Sequence, residues 1–139
     1  MKRLLTLLLL ASVVAAAPAT AADPVSQTYN APVDRVWTIA EAVLKQLGWD
    51  IESKDRSVGM IRTESRRLEG EDYGVYAKGT RHRLILHLKA AGENRTTVSV
   101  DREAFRRERI LWIDKDEPAN VGGGTEVQKT VLAAIGKAL

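Results

Sequence analysis

His82 and His87 are the only imidazoles in this 139-residue chain, and it contains no cysteine. Five residues apart on an extended segment, they face opposite sides. With no His-x-x-x-His spacing either, no zinc site is expected. Nucleophilic catalysis needs a hydroxyl, a base and a carboxylate that meet in space, and Ser26, Ser53, Ser57, Ser65 and Ser99 lie in no G-x-S-x-G elbow. Glu69, Glu71 and Asp72 are carboxylates suited to acid–base work, but in a charged run they read more simply as a solvated face. Gly122-Gly123-Gly124-Thr125 precedes a helical pattern, where backbone N–H groups can hold phosphate. Glu126 stands where a P-loop carries lysine, so the segment reads as a connection ending in a helix cap. These residues predict no metal, no cofactor and no enzyme.

Binding residues are easier to nominate. Arg102, Arg106, Arg107 and Arg109 form the densest basic stretch, interrupted by Glu103 and Glu108. On a strand, Arg102 and Arg106 share one face, and Arg107 and Arg109 the other. The interleaved acids predict cross-strand ion pairs. Tyr73 and Tyr76 lie in a segment with little apolar company to bury them, and such aromatics often make contacts. Tyr73, Tyr76, Arg106 and Arg107 are therefore the candidate partner-binding residues.

The elements that must position them follow from periodicity. Val33, Val36, Trp37, Ala40, Val43, Leu44 and Leu47 repeat at helical spacing. Pro32 suits the helix start and Gly48 the left-handed residue beyond its end. A short strand over Ser26–Tyr29 precedes this helix. From Trp49 the period becomes two, and a hairpin is expected through Asp55-Arg56-Ser57 into Val58–Ser65. Arg66 to Gly79, charged and holding three glycines, reads as a long loop. His82, Leu84, Leu86 and Leu88 share a strand face, Ala91–Asn94 turns the chain, and Thr96–Phe105 returns with Val98 and Val100 inward. Arg106–Lys115 reads as a further strand carrying Ile110, Leu111, Trp112 and Ile113. Thr125 and Gln128 match a capping box opening a last helix with Val127, Val131, Leu132, Ile135 and Leu139. The expected fold is α+β: an antiparallel sheet with both helices on one face, in two layers.

The N-terminus predicts an address. Lys2 and Arg3 precede an apolar run, Leu4–Val14, broken only by Thr6 and Ser12, and a small-residue tail holds Ala19-Thr20-Ala21. That order is a secretory signal peptide over residues 1–22, cleaved near Ala21 or Ala22, and the run is short for a membrane span. One domain, 23–139, remains. The whole chain has 21 basic and 18 acidic residues. The leader holds two of the basic residues and none of the acidic ones, so the mature domain is nearly neutral and nucleic-acid binding is not expected. Lacking cysteine, the domain cannot take a bacterial lipoprotein's lipid anchor, and a soluble periplasmic protein is expected.

Three segments carry a family likeness: Ala31-Pro32-Val33-Asp34-Arg35-Val36-Trp37, Leu47-Gly48-Trp49-Asp50-Ile51 and Gly59-Met60-Ile61-Arg62-Thr63-Glu64. Together they resemble the helix-grip domains of BamC-type lipoproteins, accessory parts of the outer-membrane β-barrel assembly machinery. The resemblance spans residues 26–65 and implies a strand–helix–strands–helix fold with a non-enzymatic, protein-contacting role in the envelope. Those lipoproteins carry a lipidated cysteine, a long N-terminal segment and two tandem domains, and no binding residue transfers. The expected function is a soluble periplasmic protein-interaction module. The alternative is a carrier holding a small apolar or lipid ligand between helix and sheet, which needs a core left unfilled.

Overall fold

A computed structural model describes residues 25–139; the expected signal peptide and its cleavage site lie outside them. The chain runs β1 (Val25–Tyr29), α1 (Val33–Gln46), β2 (Ile51–Asp55), β3 (Met60–Thr63), β4 (Arg66–Asp72), β5 (Ala77–Ala90), β6 (Thr96–Ile110), β7 (Ile113–Pro118) and α2 (Glu126–Ala138). It is an α+β fold: two helices on an antiparallel seven-stranded sheet.

Two long strands organise everything else. β5 and β6 pair without a break from Ala77↔Arg109 to Ala90↔Thr96, a ladder about 45 Å long at ~3.3 Å per residue. The half nearer the Ala91–Arg95 turn is flanked by β3 and β2 on the β5 side and by β1 on the β6 side. The other half is flanked by β4 on β5 and β7 on β6. The first half is the body, the second a four-stranded arm.

Only the body carries a helix-covered core. Val36, Trp37, Ala40, Val43 and Leu44 of α1 and Val131, Leu132 and Ile135 of α2 close over Leu84, Leu86, Leu88, Val98 and Val100. This core includes no residue of β4 or β7, and every residue of those two strands is exposed. The α1 end follows its sequence signal. Gly48 sits at φ +83°, while Trp49 N–H donates to Leu44 O (2.8 Å) and Gly48 N–H to Lys45 O (3.1 Å), a Schellman motif. Tyr29 is buried and donates its hydroxyl proton to Leu132 O, tying β1 to α2; burial pushes its pKa up to about 12.

Three expectations need correction. Arg66–Gly79 is not a long loop: it forms β4, a four-residue turn and the start of β5. Its glycines serve close backbone approach. Gly70 pairs with Gly79, and a Cβ on either would stand 2.0 Å from a carbonyl oxygen of the opposite strand. Arg106–Lys115 is not one further strand, because the chain reverses at Leu111–Trp112 between β6 and β7. The capping box does not form either. Thr125 makes no side-chain cap bond, and Gln128 is buried with Oε1 unpartnered.

Candidate functional site at the arm apex

The free end of the arm joins two turns. Tyr73–Tyr76 links β4 to β5, and the two-residue turn Leu111–Trp112 links β6 to β7. Neither Leu111 (φ +51°) nor Trp112 (φ +69°) is glycine, yet both occupy the left-handed region, as a type I′ turn requires of its two central residues. Asn-Gly is the usual choice there, because a Cβ in that region costs roughly 1–2 kcal/mol. Bulky residues held at strained positions on a surface mark a place to look for function.

The two turns are fastened together. Trp112 N–H donates to Val75 O (3.3 Å), and Tyr73 N–H to Tyr76 O (2.8 Å). The Trp112 ring lies over Gly74, where a Cβ would sit 3.6 Å from it and the backbone is at φ +81°. Arg109 clamps the assembly from behind. Its guanidinium meets Asp114 (2.6 Å) and Asp72 (3.2 Å) and donates to Gly74 O (3.2 Å). The Gly74 N–H first, then Arg109, hold the Asp72 pKa below its usual value. The hydrogen bond to Asp114 raises that of Arg109.

The apex itself is apolar. Tyr73, Tyr76, Ile110, Leu111, Trp112 and Ile113 are six of the eight large hydrophobic residues exposed among the described residues, with Trp112 at 72% and Ile113 at 73%. Between its bounding charges the apex reads Tyr-Gly-Val-Tyr-Ala on one hairpin and Ile-Leu-Trp-Ile on the other. Beside it, Glu71, Tyr73, Tyr76, Ala77, Lys78 and Ile110 help line an open cleft of about 280 Å³.

Of the residues nominated from sequence, Tyr73 and Tyr76 meet at this apex, 71% and 52% exposed. Tyr73 donates its hydroxyl to Glu71 (2.6 Å), which raises its pKa. Arg106 is exposed and lies with Arg102 on the helix-bearing side, near Asn120 and Gly122. Arg107 is on the opposite side, engaged with Asp116 through two bonds of 2.8 and 2.9 Å. Those bonds lower the Asp116 pKa and raise that of Arg107. Its guanidinium and that of Arg83 lie over the Phe105 ring at 5.3 and 4.6 Å from the centroid. The four nominees thus fall into an apical pair and two arginines on opposite faces of the arm.

The cross-strand ion pairs expected from the interleaved acids form at Glu103, while the basic residues of the stretch find other partners. Arg107 and Arg109 pair with β7 and Asp72, whereas Glu103 meets Arg83 (3.7 Å) and Arg62 (3.8 Å). Sequence reasoning missed Ile110–Ile113 as an exposed site. The available signal was four consecutive apolar residues between Arg106-Arg107-Glu108 on one side and Asp114-Lys115-Asp116 on the other.

His82 sits away from the apex, buried in the body end of the arm. Its Nδ1 accepts from Arg102 Nε (2.8 Å), and its ring lies 4.9 Å from that of Trp49. Desolvation, then the charges of Arg102 and Arg66, lower its pKa to about 4. No hydrogen bond among the described residues joins a serine to either histidine; Ser65 accepts from Arg81 and Ser57 bonds to Asp55. No cluster of three metal-ligating side chains occurs among the described residues, and no helix among them is long and apolar enough to cross a membrane.

The fold and apex define a class, an α+β domain with a protruding β-arm. No family model matches the chain, and no curated protein does. Among solved structures it is similar to the adenylate sensor from AMP-activated protein kinase, a structure determined in complex with the ribonucleotide ZMP. The TM-score is 0.51 at 10% identity, over 78% of this chain and 93% of that one. At that identity the likeness concerns the fold alone.

Proposed function

We propose that this chain is a non-enzymatic interaction module of the bacterial cell envelope, exported by its N-terminal signal and working in the periplasm through its arm. The helix-grip arrangement and the BamC-type resemblance of residues 26–65 are part of this reading. The observation that carries it is the apex: six exposed apolar side chains concentrated at one end, presented by a strained turn. A hydrophobic patch of that kind on a small domain commonly marks a contact surface. Arg106 and the open edges of β4 and β7 offer polar contacts behind it.

The carrier reading has less support. Trp37, Leu44, Ile61, Leu84, Leu86 and Ile135 fill the space between helices and sheet and are fully buried. A ligand there would have to displace packed side chains.

The test is a photo-crosslinking amino acid at Tyr76 in the full chain, expressed in envelope-bearing cells. The same probe is placed at Arg106 and at Lys115, and the expected result is capture of a discrete envelope protein from at least one of these arm positions. A probe that captures no protein at Tyr76, Arg106 or Lys115 would refute a protein-binding arm.

A further inference from the structure

We propose that the arm apex docks into the surface of a lipid bilayer, so that the module works as a peripheral membrane protein, held by Tyr73, Tyr76 and Ile110–Ile113. This rests on the reading that the arm is the working end, and it names what the apex touches.

Four observations favour lipid over a protein groove. The residue types are those of the membrane interface, where Trp and Tyr bury their rings and keep a polar edge at the headgroups. The apex is also free of charge. Behind it, Arg109 is paired with Asp72 and Asp114 and Arg107 with Asp116, so shallow immersion strands neither guanidinium. Glu71, Lys78 and Glu108 line the open cleft beside the tip, where they stay in water at headgroup level.

Third, several backbone polar groups at the apex already have partners. Tyr73 N–H, Val75 N–H and Trp112 N–H all bond to carbonyls of the Tyr73–Tyr76 turn, and Arg109 covers Gly74 O. Apolar surroundings demand such internal pairing. Fourth, the turn is a convex tip. Leu111 and Trp112 lead, at the cost of positive φ, in a position Asn-Gly would occupy more comfortably. Shallow insertion of a few apolar side chains gives reversible attachment rather than a span.

The chain supplies its own probe. Of its three tryptophans, Trp37 and Trp49 are buried and Trp112 is exposed. A change in emission on adding vesicles therefore reports on the apex. The experiment mixes the protein with phosphatidylcholine vesicles and, separately, phosphatidylglycerol vesicles, each with and without brominated acyl chains.

The expected result is co-sedimentation with both, a blue shift, quenching by the brominated lipid, and little response to salt. Leu111→Asn with Trp112→Gly restores the preferred turn sequence, so the hairpin is kept while its apolar lead is removed. Partitioning should fall by on the order of 100-fold, the equivalent of losing one well-buried large apolar side chain or more.

The proposal is overturned by no binding to either vesicle, by binding that the double variant retains, or by binding to phosphatidylglycerol alone that salt abolishes. Protein capture at Tyr76 without vesicle binding would sink the lipid contact and leave the module reading standing. Vesicle binding without protein capture would do the reverse.

Discussion

Replacing Leu111 by Asn and Trp112 by Gly should make this protein more stable, although it removes two large side chains. Each residue now sits in the left-handed region, at φ +51° and +69°, which costs an L-residue roughly 1–2 kcal/mol. Glycine removes that penalty at 112, and asparagine, which tolerates the region better, removes part of it at 111. Against this stands the extra freedom glycine gives the unfolded chain, about 0.5–1 kcal/mol. The ring contact between Trp112 and Gly74 is also lost, but with Trp112 at 72% exposure it shields little surface.

The balance is a gain of about 1 kcal/mol. For a domain of this size, that raises Tm by about 4 °C. The assay is equilibrium urea unfolding, with m compared to confirm that the surface exposed on unfolding is unchanged. A midpoint below wild type would refute the reasoning. It would mean the apex side chains pack well enough to outweigh the backbone relief, and that the turn is not strained in any useful sense.

Two further outcomes follow from the same structure. His82, folded, has its pKa lowered to about 4, so the unfolded chain takes up the proton first as pH falls. His82 therefore contributes its full stabilisation above about pH 6.5 and loses it on the way down to about 4, by up to about 3 kcal/mol. His82→Gln, which can still accept from Arg102, should flatten the stability profile between pH 6.5 and 5; an unchanged slope there would assign it to carboxylates instead. Gly70→Ala should disrupt the arm, since the new Cβ would lie 2.0 Å from Lys78 O at φ +97°. A loss of about 1–3 kcal/mol is expected, with faster amide exchange in Glu69–Lys78 than at Leu84–Leu88; equal exchange in both would count against the division into arm and body.

The body was readable from sequence because its signals agree. The apolar stripe from Val36 to Leu44, the glycine after Leu47 and the alternation of Leu84, Leu86 and Leu88 each report a face buried on one side. The arm was not, because no helix covers it and neither face of β4 or β7 needs an apolar stripe. Arg66–Asp72 therefore looks like a charged loop, and Gly70 and Gly79 look like loop punctuation when they permit two backbones to cross closely. The reversal at Leu111–Trp112 carries none of the Asn, Asp or Gly that announces a type I′ turn.

At the site, Tyr73 and Tyr76 were legible as aromatics lacking apolar neighbours. Ile110–Ile113 reads from sequence as part of a continuous strand, since a run of apolar residues ordinarily means burial. Arg107 stands out from sequence as a partner candidate because the acids that engage it lie across a hairpin whose turn carries no sequence signal.

The unbroken pairing of β5 with β6 also has a mechanical meaning. Body and arm share the same two backbones, with no linker or hinge between them, so the arm is a cantilever built into the core of the domain. A pull on Trp112 along its length loads the fourteen residue pairs between Ala77↔Arg109 and Ala90↔Thr96 in shear, so that they share the force in parallel. The flanking strands β4 and β7, held by their own short ladders, would peel before the central pair yields. Force applied at the tip thus reaches Leu84–Leu88 and the packed helices directly, which makes the domain a stiff prop between whatever holds its two ends.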